Sequence, residues 1–326
     1  ATTGPGAVPR SGADLREDGR MRFRSTLAAS VAAAALVALS ACSSGGGPAE
    51  PAAVSSSLAA QSGSPAASGA AATVPRPAHV VVVMEENHSY DEIIGSADAP
   101  YINALAAQGA SFTASYAVAH PSEPNYLALF SGSTQGLTDD SCPHSFTGPT
   151  LGSELLGAGF GFAGYSESMP STGFTGCNSG DYARRHNPWV NFPGIPASDN
   201  RTFDAFPTDA TGYAALPTLS FVIPNVQHDM HDGTVRQGDD WLRAHLSGYA
   251  SWARTHDSLL VVTWDEDDNG PSNHIPTLVV GAGTKAGRYG ELLDHYRLLR
   301  TLEAAYGLQP IGESAQRSPV TDIWGG

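Results

Sequence analysis

The side chains in this sequence whose types and spacing could do chemistry are two pairs of oxygen donors and one serine. Glu86 and Asn87 stand side by side one residue beyond an apolar run at 80–84, after Glu85, and Asp265 and Glu266 directly after another at 259–264. Carboxylates and an amide carbonyl are hard donors, better matched to Ca²⁺, Mg²⁺ or Mn²⁺ than to a thiolate-loving metal. Asp265-Glu266-Asp267-Asp268 places four acids in succession, which repel one another unless a cation or strong donors neutralise them. Taken singly, each pair reads equally well as a charged turn. Together they form a ligand set for one divalent ion, with Zn or Fe as the alternatives.

Between the pairs lies His120-Pro121-Ser122-Glu123-Pro124-Asn125, running into the apolar stretch that follows. A serine flanked by prolines on a turn entering a helix is rigidly held, and the helix amino terminus offers free N–H groups and a positive dipole end to an anion. With a cation close by, such a serine is suited to attack a phosphorus atom. The competing reading is a plain Ser/Pro helix cap.

These groups need a scaffold that brings them together. The run at 80–84 is too short for a buried helix and rich in β-branched residues, which predicts a central strand covered on both faces. Further strands are expected at 112–118, 160–165, 218–223, 259–264 and 275–280. Helices are expected at 101–109, 126–130, 151–156, 239–254 and 292–306. The alternation predicts an α/β fold, a three-layer α/β/α sandwich with a mostly parallel central sheet. In such sheets ligands sit at the carboxyl ends of strands, where both oxygen-donor pairs fall.

The first 76 residues read differently. Met21-Arg22-Phe23-Arg24 opens a basic head followed by an Ala/Val-rich body that closes on Leu39-Ser40-Ala41-Cys42. That is the layout of an export signal. Residues 1–20 lack signal character and read as a mis-called upstream extension, and 21–41 as the signal. Residues 42–76, almost entirely Ser, Gly, Ala and Pro, read as a flexible tether. Residues 77–326 then form the folded domain. The whole chain has a formal charge of −15, and residues 1–41 carry five of its 17 basic and three of its 32 acidic side chains. The remainder is near −17, which argues against a nucleic-acid partner. Once Cys42 is set aside, Cys142 and Cys177 remain, and in an oxidising compartment they most simply pair. Closing their 35-residue loop stabilises by roughly 3 to 4 kcal/mol on the chain-entropy model.

The segments MEENHSYDEI, HPSEPNYLALFSG, YSESMP, RHNPWVNF, NVQHDMHDGT, VVTWDEDD and DHYRLLRTLEAAYGL occur in this order. They resemble the bacterial phosphoesterase family of secreted acid phosphatases and phospholipases C, within the alkaline-phosphatase superfamily. The resemblance covers residues 80–324. It implies the three-layer fold, a metal-assisted Ser or Thr nucleophile and a phosphorylated-enzyme intermediate. Position by position it makes Glu86 and Asn87 the first metal-binding pair and Asp265 and Glu266 the second. Ser122 becomes the nucleophile, itself touching the metal. The two-zinc members of the superfamily use several Asp and His ligands, whereas here Asp265 is followed by Glu266. One metal, with His186, His228 and His231 facing the substrate phosphate, is the better fit. His274 and His295 read as structural.

The resemblance implies an exported phosphatase acting on small phosphorylated substrates, with a phospholipase C-type phosphodiesterase or a non-catalytic metal-binding lipoprotein as alternatives. Its only membrane contact would be a lipid on Cys42, since Leu39-Ser40-Ala41-Cys42 resembles a bacterial lipobox; a signal cleaved without lipidation is the alternative. On the lipid reading, Cys42→Ala should move the protein from the membrane fraction to the soluble one. Fractionation of the two forms checks this, and a wild type that is already fully soluble rules it out.

Overall fold

The computed structural model describes residues 73–325 and Ala1. The expected upstream extension, signal segment, Cys42 and most of the tether lie outside the described residues. Along the chain, β1 (His79–Glu85) leads to the single turn α1 (Tyr90–Ile93), α2 (Pro100–Gln108), β2 (Ala110–Phe112), β3 (Ser115–Tyr116), α3 (Ser122–Ser131) and α4 (Leu151–Gly157). Then come β4 (Phe162–Ser166), the hairpin strands β5 (Asn178–Ser179) and β6 (Tyr182–Ala183), β7 (Asn200–Thr202), α5 (Ala210–Tyr213) and β8 (Leu219–Ile223). The chain continues through α6 (Val235–Ala253), β9 (Ser258–Trp264), β10 (Thr277–Gly281), β11 (Gly287–Tyr289), β12 (Leu293–Asp294) and α7 (His295–Tyr306).

Eight strands form the main sheet in the order β11-β2-β10-β9-β1-β8-β4-β7. β1 is central and pairs in parallel with β8 and β9. β10 alone runs against the rest, antiparallel to both β9 and β2, so the sheet is mostly parallel.

Side chains alternate between the two faces with period two. Val80, Val82 and Met84 pack with Tyr126, Leu127 and Phe130 of α3, Leu155 of α4 and Leu299 of α7. Val81 and Val83 pack on the opposite face with Leu105 of α2 and Trp241, Leu242 and Leu246 of α6. Helices therefore cover both faces, which is why β1 is a continuous apolar run rather than an alternating one. Each large side chain buried this way stabilises by roughly 1.5–3 kcal/mol.

Several boundaries differ from the sequence reading, each for a local reason. The strand expected at 112–118 is two strands: β2 belongs to the main sheet, while β3 pairs with β12 in a separate ribbon. α6 begins four residues early, where Thr234 accepts from the Gln237 amide in a capping box. Asp239, read as the helix's first residue, is instead buried and accepts from the Tyr101 and Ile102 amides at the start of α2. α7 starts at His295 because Asp294 caps it. The end of the expected tether is not free either: Val74 packs against the α3-side core, and the Arg76 guanidinium lies 4.7 Å over the Phe160 ring. Cys142 and Cys177 form a disulfide.

Gly164 in β4 shows how the sheet admits the segment that carries His186. A Cβ there would lie 2.2 Å from Cε2 of Trp189, whose indole N–H donates to Asn200 Oδ1 at 2.8 Å. Trp189 thus lies flat against bare backbone. Gly164→Ala should cost about 1–3 kcal/mol through overpacking, a fall of roughly 2–10 °C in melting temperature. Thermal unfolding of the variant checks this, and an unchanged midpoint contradicts the packing account.

Candidate active site

Glu86 and Asp265 leave the carboxyl ends of the adjacent strands β1 and β9, stitched by Asp265 N–H donating to Glu85 O at 2.9 Å. By the two-residue alternation Glu86 continues the side of Met84, so it faces α3, while Glu85 faces α2 and α6. All ten residues of α3 are buried. Its entry turn is tied by Asn125, whose Oδ1 accepts from the Val118 and Ala119 amides and whose Nδ2 donates to Ala119 O. Gly132, at φ +68°, ends the helix in the left-handed region, where a Cβ would meet Ile311 O at 2.1 Å. Ser122 is thereby fixed as the first helical residue, only 2% exposed.

Ser122 Oγ lies 2.9 Å from Glu86 Oε2 and 3.1 Å from Glu266 Oε1. A hydroxyl has one proton, so it can donate to only one of them. Asn87, at φ 51°, donates its backbone N–H to Asp265 Oδ1 at 3.2 Å. Its amide end stands 3.2 Å from Glu266 Oε1 and 3.3 Å from Glu86 Oε2. Turned with nitrogen inward it donates to both; turned with oxygen inward it faces acceptors only. Asp265 Oδ2 is buried without a partner. Burial raises the Asp265 carboxyl well above the usual range, with Glu86 and Glu266 adding to the rise. An oxygen-lined pocket with too few protons and an orphaned carboxylate oxygen fits a divalent cation, which would neutralise the charge.

The other oxygen of Glu86 faces a second group. Oε1 accepts from the Tyr126 hydroxyl and lies 3.1 Å from His186 Nε2. His186 Nδ1 lies 3.1 Å from Asp229 Oδ2. Neither contact has hydrogen-bond alignment, so His186 Nε2 and Asp229 Oδ2 are buried and unpartnered. Ligand atoms of Glu86, His186 and Asp229 all fall within 4.8 Å of one another, a spacing that could hold a metal ion. The His186 ring stacks on Tyr126 at 5.2 Å. Burial lowers the His186 pKa to about 4, raises Glu86 to about 7 against the opposing pull of His186, and raises Asp229 to about 8.

The structure thus brings together Glu86, Asn87, Ser122, Asp265, Glu266 and His186. His186, expected to face a phosphate, is 1% exposed with both ring nitrogens toward carboxylates. It belongs to the floor of the cluster rather than its open side. His228 is held apart from the cluster, its Nδ1 on Glu167 and its ring near Trp241. His231 lies beside His186 with ring centroids 5.9 Å apart. His274 stacks on Tyr90, and His295 Nε2 meets Asp265 O at 2.7 Å, which is structural support.

Sequence reading missed Asp229, Tyr126 and His120, whose Nδ1 meets Glu266 Oε2. Asp229 was legible in principle. It lies in the loop after β8, six residues past Ile223, between His228 and His231, whose own chemistry competes with it for a role.

A model of the Phosphoesterase family matches residues 96–309. A phosphatidylinositol-3-phosphatase of Mycobacterium tuberculosis is 54% identical over 253 residues, covering 77% of this chain and 84% of that protein. A probable acid phosphatase of Kluyveromyces lactis is 30% identical, covering 74% of this chain and 61% of that protein. For an acid phosphatase of Aspergillus fumigatus the identity is 29%, with 70% and 54% covered. The chain therefore spans little more than half the length of these fungal relatives. Among solved structures, a protein in the alkaline phosphatase superfamily from Vibrio parahaemolyticus superposes with a TM-score of 0.54 at 14% identity, over 77% of this chain and 72% of that one. A lipoteichoic acid synthase from Listeria monocytogenes gives 0.51 at 12%, over 72% and 73%. At such identities these two show the fold alone.

The buried acids make stability depend on pH in the metal-free protein. Glu86 and Asp229 hold protons more tightly when folded, so their contribution is complete below about pH 4 and is lost as pH rises through about 7 to 8. His186 acts in the opposite sense, but its contribution is complete above about pH 6.5. Between roughly pH 6.5 and 8.5 only the carboxylate effect is left. The chelator-treated protein should therefore melt at falling temperature across that window, and a divalent cation should raise the midpoint more at pH 8 than at pH 6. Calorimetry across pH with and without metal decides it; a flat metal-free profile contradicts the charge assignment.

Proposed function

The chain belongs to the phosphoesterase family, whose members are hydrolases of phosphoric ester bonds, and from that premise we propose that it is an exported, metal-dependent acid phosphatase cleaving phosphate monoesters through a phosphoserine on Ser122. The observation that carries this reading is Ser122 Oγ itself. It sits at the first position of a buried helix, within 3.1 Å of carboxylates delivered by two different strand ends.

Ser122 Oγ forms the bond to phosphorus as the ester oxygen leaves with its electron pair and takes up a proton. Glu86 Oε2 and Glu266 Oε1 are in reach to accept the proton that Ser122 gives up. Water then attacks the phosphoserine, restoring the serine and releasing phosphate. Glu86, Asn87, Asp265 and Glu266 would hold one divalent cation beside Ser122, and Glu86, His186 and Asp229 offer an adjoining position. When bound, the ion lowers the serine's pKa and offsets charge on the phosphoryl oxygens.

Monoesters are favoured because relatives across the comparison are named phosphatases. The relative named for a phosphoinositide supports counting a lipid phosphate monoester among the candidate substrates of this chain. The Cys142–Cys177 bond supports export, and the likeness of Leu39-Ser40-Ala41-Cys42 to a lipobox supports lipid anchoring. Among the described residues no helix is long and apolar enough to cross a membrane.

Ser122→Ala should lower kcat on p-nitrophenyl phosphate by several orders of magnitude while bound metal is retained. Asp265→Ala should lose metal and activity together. Steady-state kinetics paired with elemental analysis reads both. A serine variant with near-wild-type turnover and intact metal would show that a water, not Ser122, attacks phosphorus.

A further inference from the structure

Beside the amino terminus of α3, three side chains outside the proposed metal ligands meet. Asp140 Oδ1 accepts from the Glu123 amide at 2.8 Å. That amide directly follows Ser122 and is one of the helix's first four N–H groups, which have no partner within the helix. The other oxygen of Asp140 faces Arg185, with Oδ2 3.9 Å from Nε. At that distance there is attraction but no hydrogen bond, and Arg185 Nε is buried without a partner.

The far side of the guanidinium is held by His231, whose Nε2 lies 3.1 Å from Arg185 Nη2. His231 Nδ1 is 2.7 Å from Asp232 Oδ1, and a carboxylate only accepts, so Nδ1 carries the proton. An arginine only donates, so Nε2 is the acceptor in its contact with Arg185. His231 is fixed in turn to the buried cluster, its amide donating to Asp229 Oδ1 at 2.8 Å. Arg185 is thus oriented on one side and has an unused donor on the other, next to a carboxylate that occupies the amide following the nucleophile. A partly exposed pair at this spacing contributes little to stability, so fold stability alone does not account for it.

We propose that Arg185 is the residue that selects a phosphate monoester, and that Asp140 is a built-in competitor which the substrate's phosphate displaces from both Arg185 and the Glu123 amide. The proposal rests on the phosphatase reading and names its specificity. A monoester dianion brings two charges and three free oxygens to a planar fork and an amide, whereas Asp140 offers one charge. A diester, with a single charge, gains no advantage over the carboxylate already in place. Asp140 and Arg185 are 29% and 22% exposed while Ser122 is 2% exposed, so this pair is more open to solvent than the nucleophile.

The test measures KM for p-nitrophenyl phosphate and bis(p-nitrophenyl) phosphate, and Ki for inorganic phosphate, in metal-loaded wild type, Arg185→Ala, Arg185→Lys, Asp140→Ala and the double variant. Arg185→Ala should raise the monoester KM and the phosphate Ki together by about 10- to 100-fold, the loss of a charge-assisted contact. The diester KM should change much less, and Arg185→Lys should recover part of the loss. Asp140→Ala should lower the phosphate Ki several-fold, an effect that shrinks in the Arg185→Ala background. An unchanged Ki in Arg185→Ala, or weaker phosphate binding in Asp140→Ala, overturns the proposal. If Arg185→Ala does not fold, the lysine and Asp140 variants decide. Calorimetric binding of inorganic phosphate separates the two readings. Wild type that hydrolyses monoesters but binds phosphate regardless of both residues sinks only this proposal. The predicted binding pattern without any monoester turnover sinks only the phosphatase reading.

Discussion

Negative charge buried at the ends of two neighbouring strands is the constraint on which the site depends. Glu86, Asp265 and Glu266 are all 5% exposed or less, and Asp229 joins them from the loop after β8. Removing carboxylates from water is costly unless protons, donors or a cation compensate. The protein supplies some donors: the Ser122 and Tyr126 hydroxyls and the Asn87 amide. They are too few for the oxygens present. The remaining imbalance has two remedies, raised pKa values or a bound ion, and both have the same physical origin.

Everything else in the domain serves to hold that imbalance in place. The alternation along β1 sends Glu86 toward α3 and Glu85 the other way, so one strand separates two adjacent acids into different surroundings. Pairing of β1 with β9 sets Asp265 level with Glu86, and the buried α3 carries Ser122 to both. Trp189, seated on bare backbone at Gly164, anchors the segment that delivers His186. Rigid elements on both sides leave the carboxylates little room to relax apart.

Much of the scaffold was legible because apolar runs bounded by turn residues report strands directly. The runs ending at Met84 and Trp264 gave central strands, and the acids following them marked the working end of the sheet. What stayed hidden depended on partners distant in sequence. Nothing local says that β10 reverses direction, or that Asp239, on the polar side of a helix pattern, turns inward to cap another helix. The histidines show the same limit. His186, His228 and His231 look alike as polar loop residues, yet one is buried between acids, one is engaged by Glu167, and one steadies an arginine. Their differences are set by Asp229, Glu167 and Asp232, and a linear pattern carries no record of which carboxylate each will meet.

The Cys142–Cys177 bond closes beside the segment bearing Asp140, and Arg184 reinforces it. The Arg184 amide donates to Cys177 O, and its guanidinium donates to Thr175 O, His144 O and Asn191, which in turn donates to Glu123. Two stretches far apart in the chain are thereby joined into one rim. The conformational freedom of that rim is surrendered once, during oxidative folding, and not again at each encounter with a ligand. Preorganisation of this kind lets a small anion, which has few atoms with which to offset any ordering of the protein, bind at a mouth already in shape.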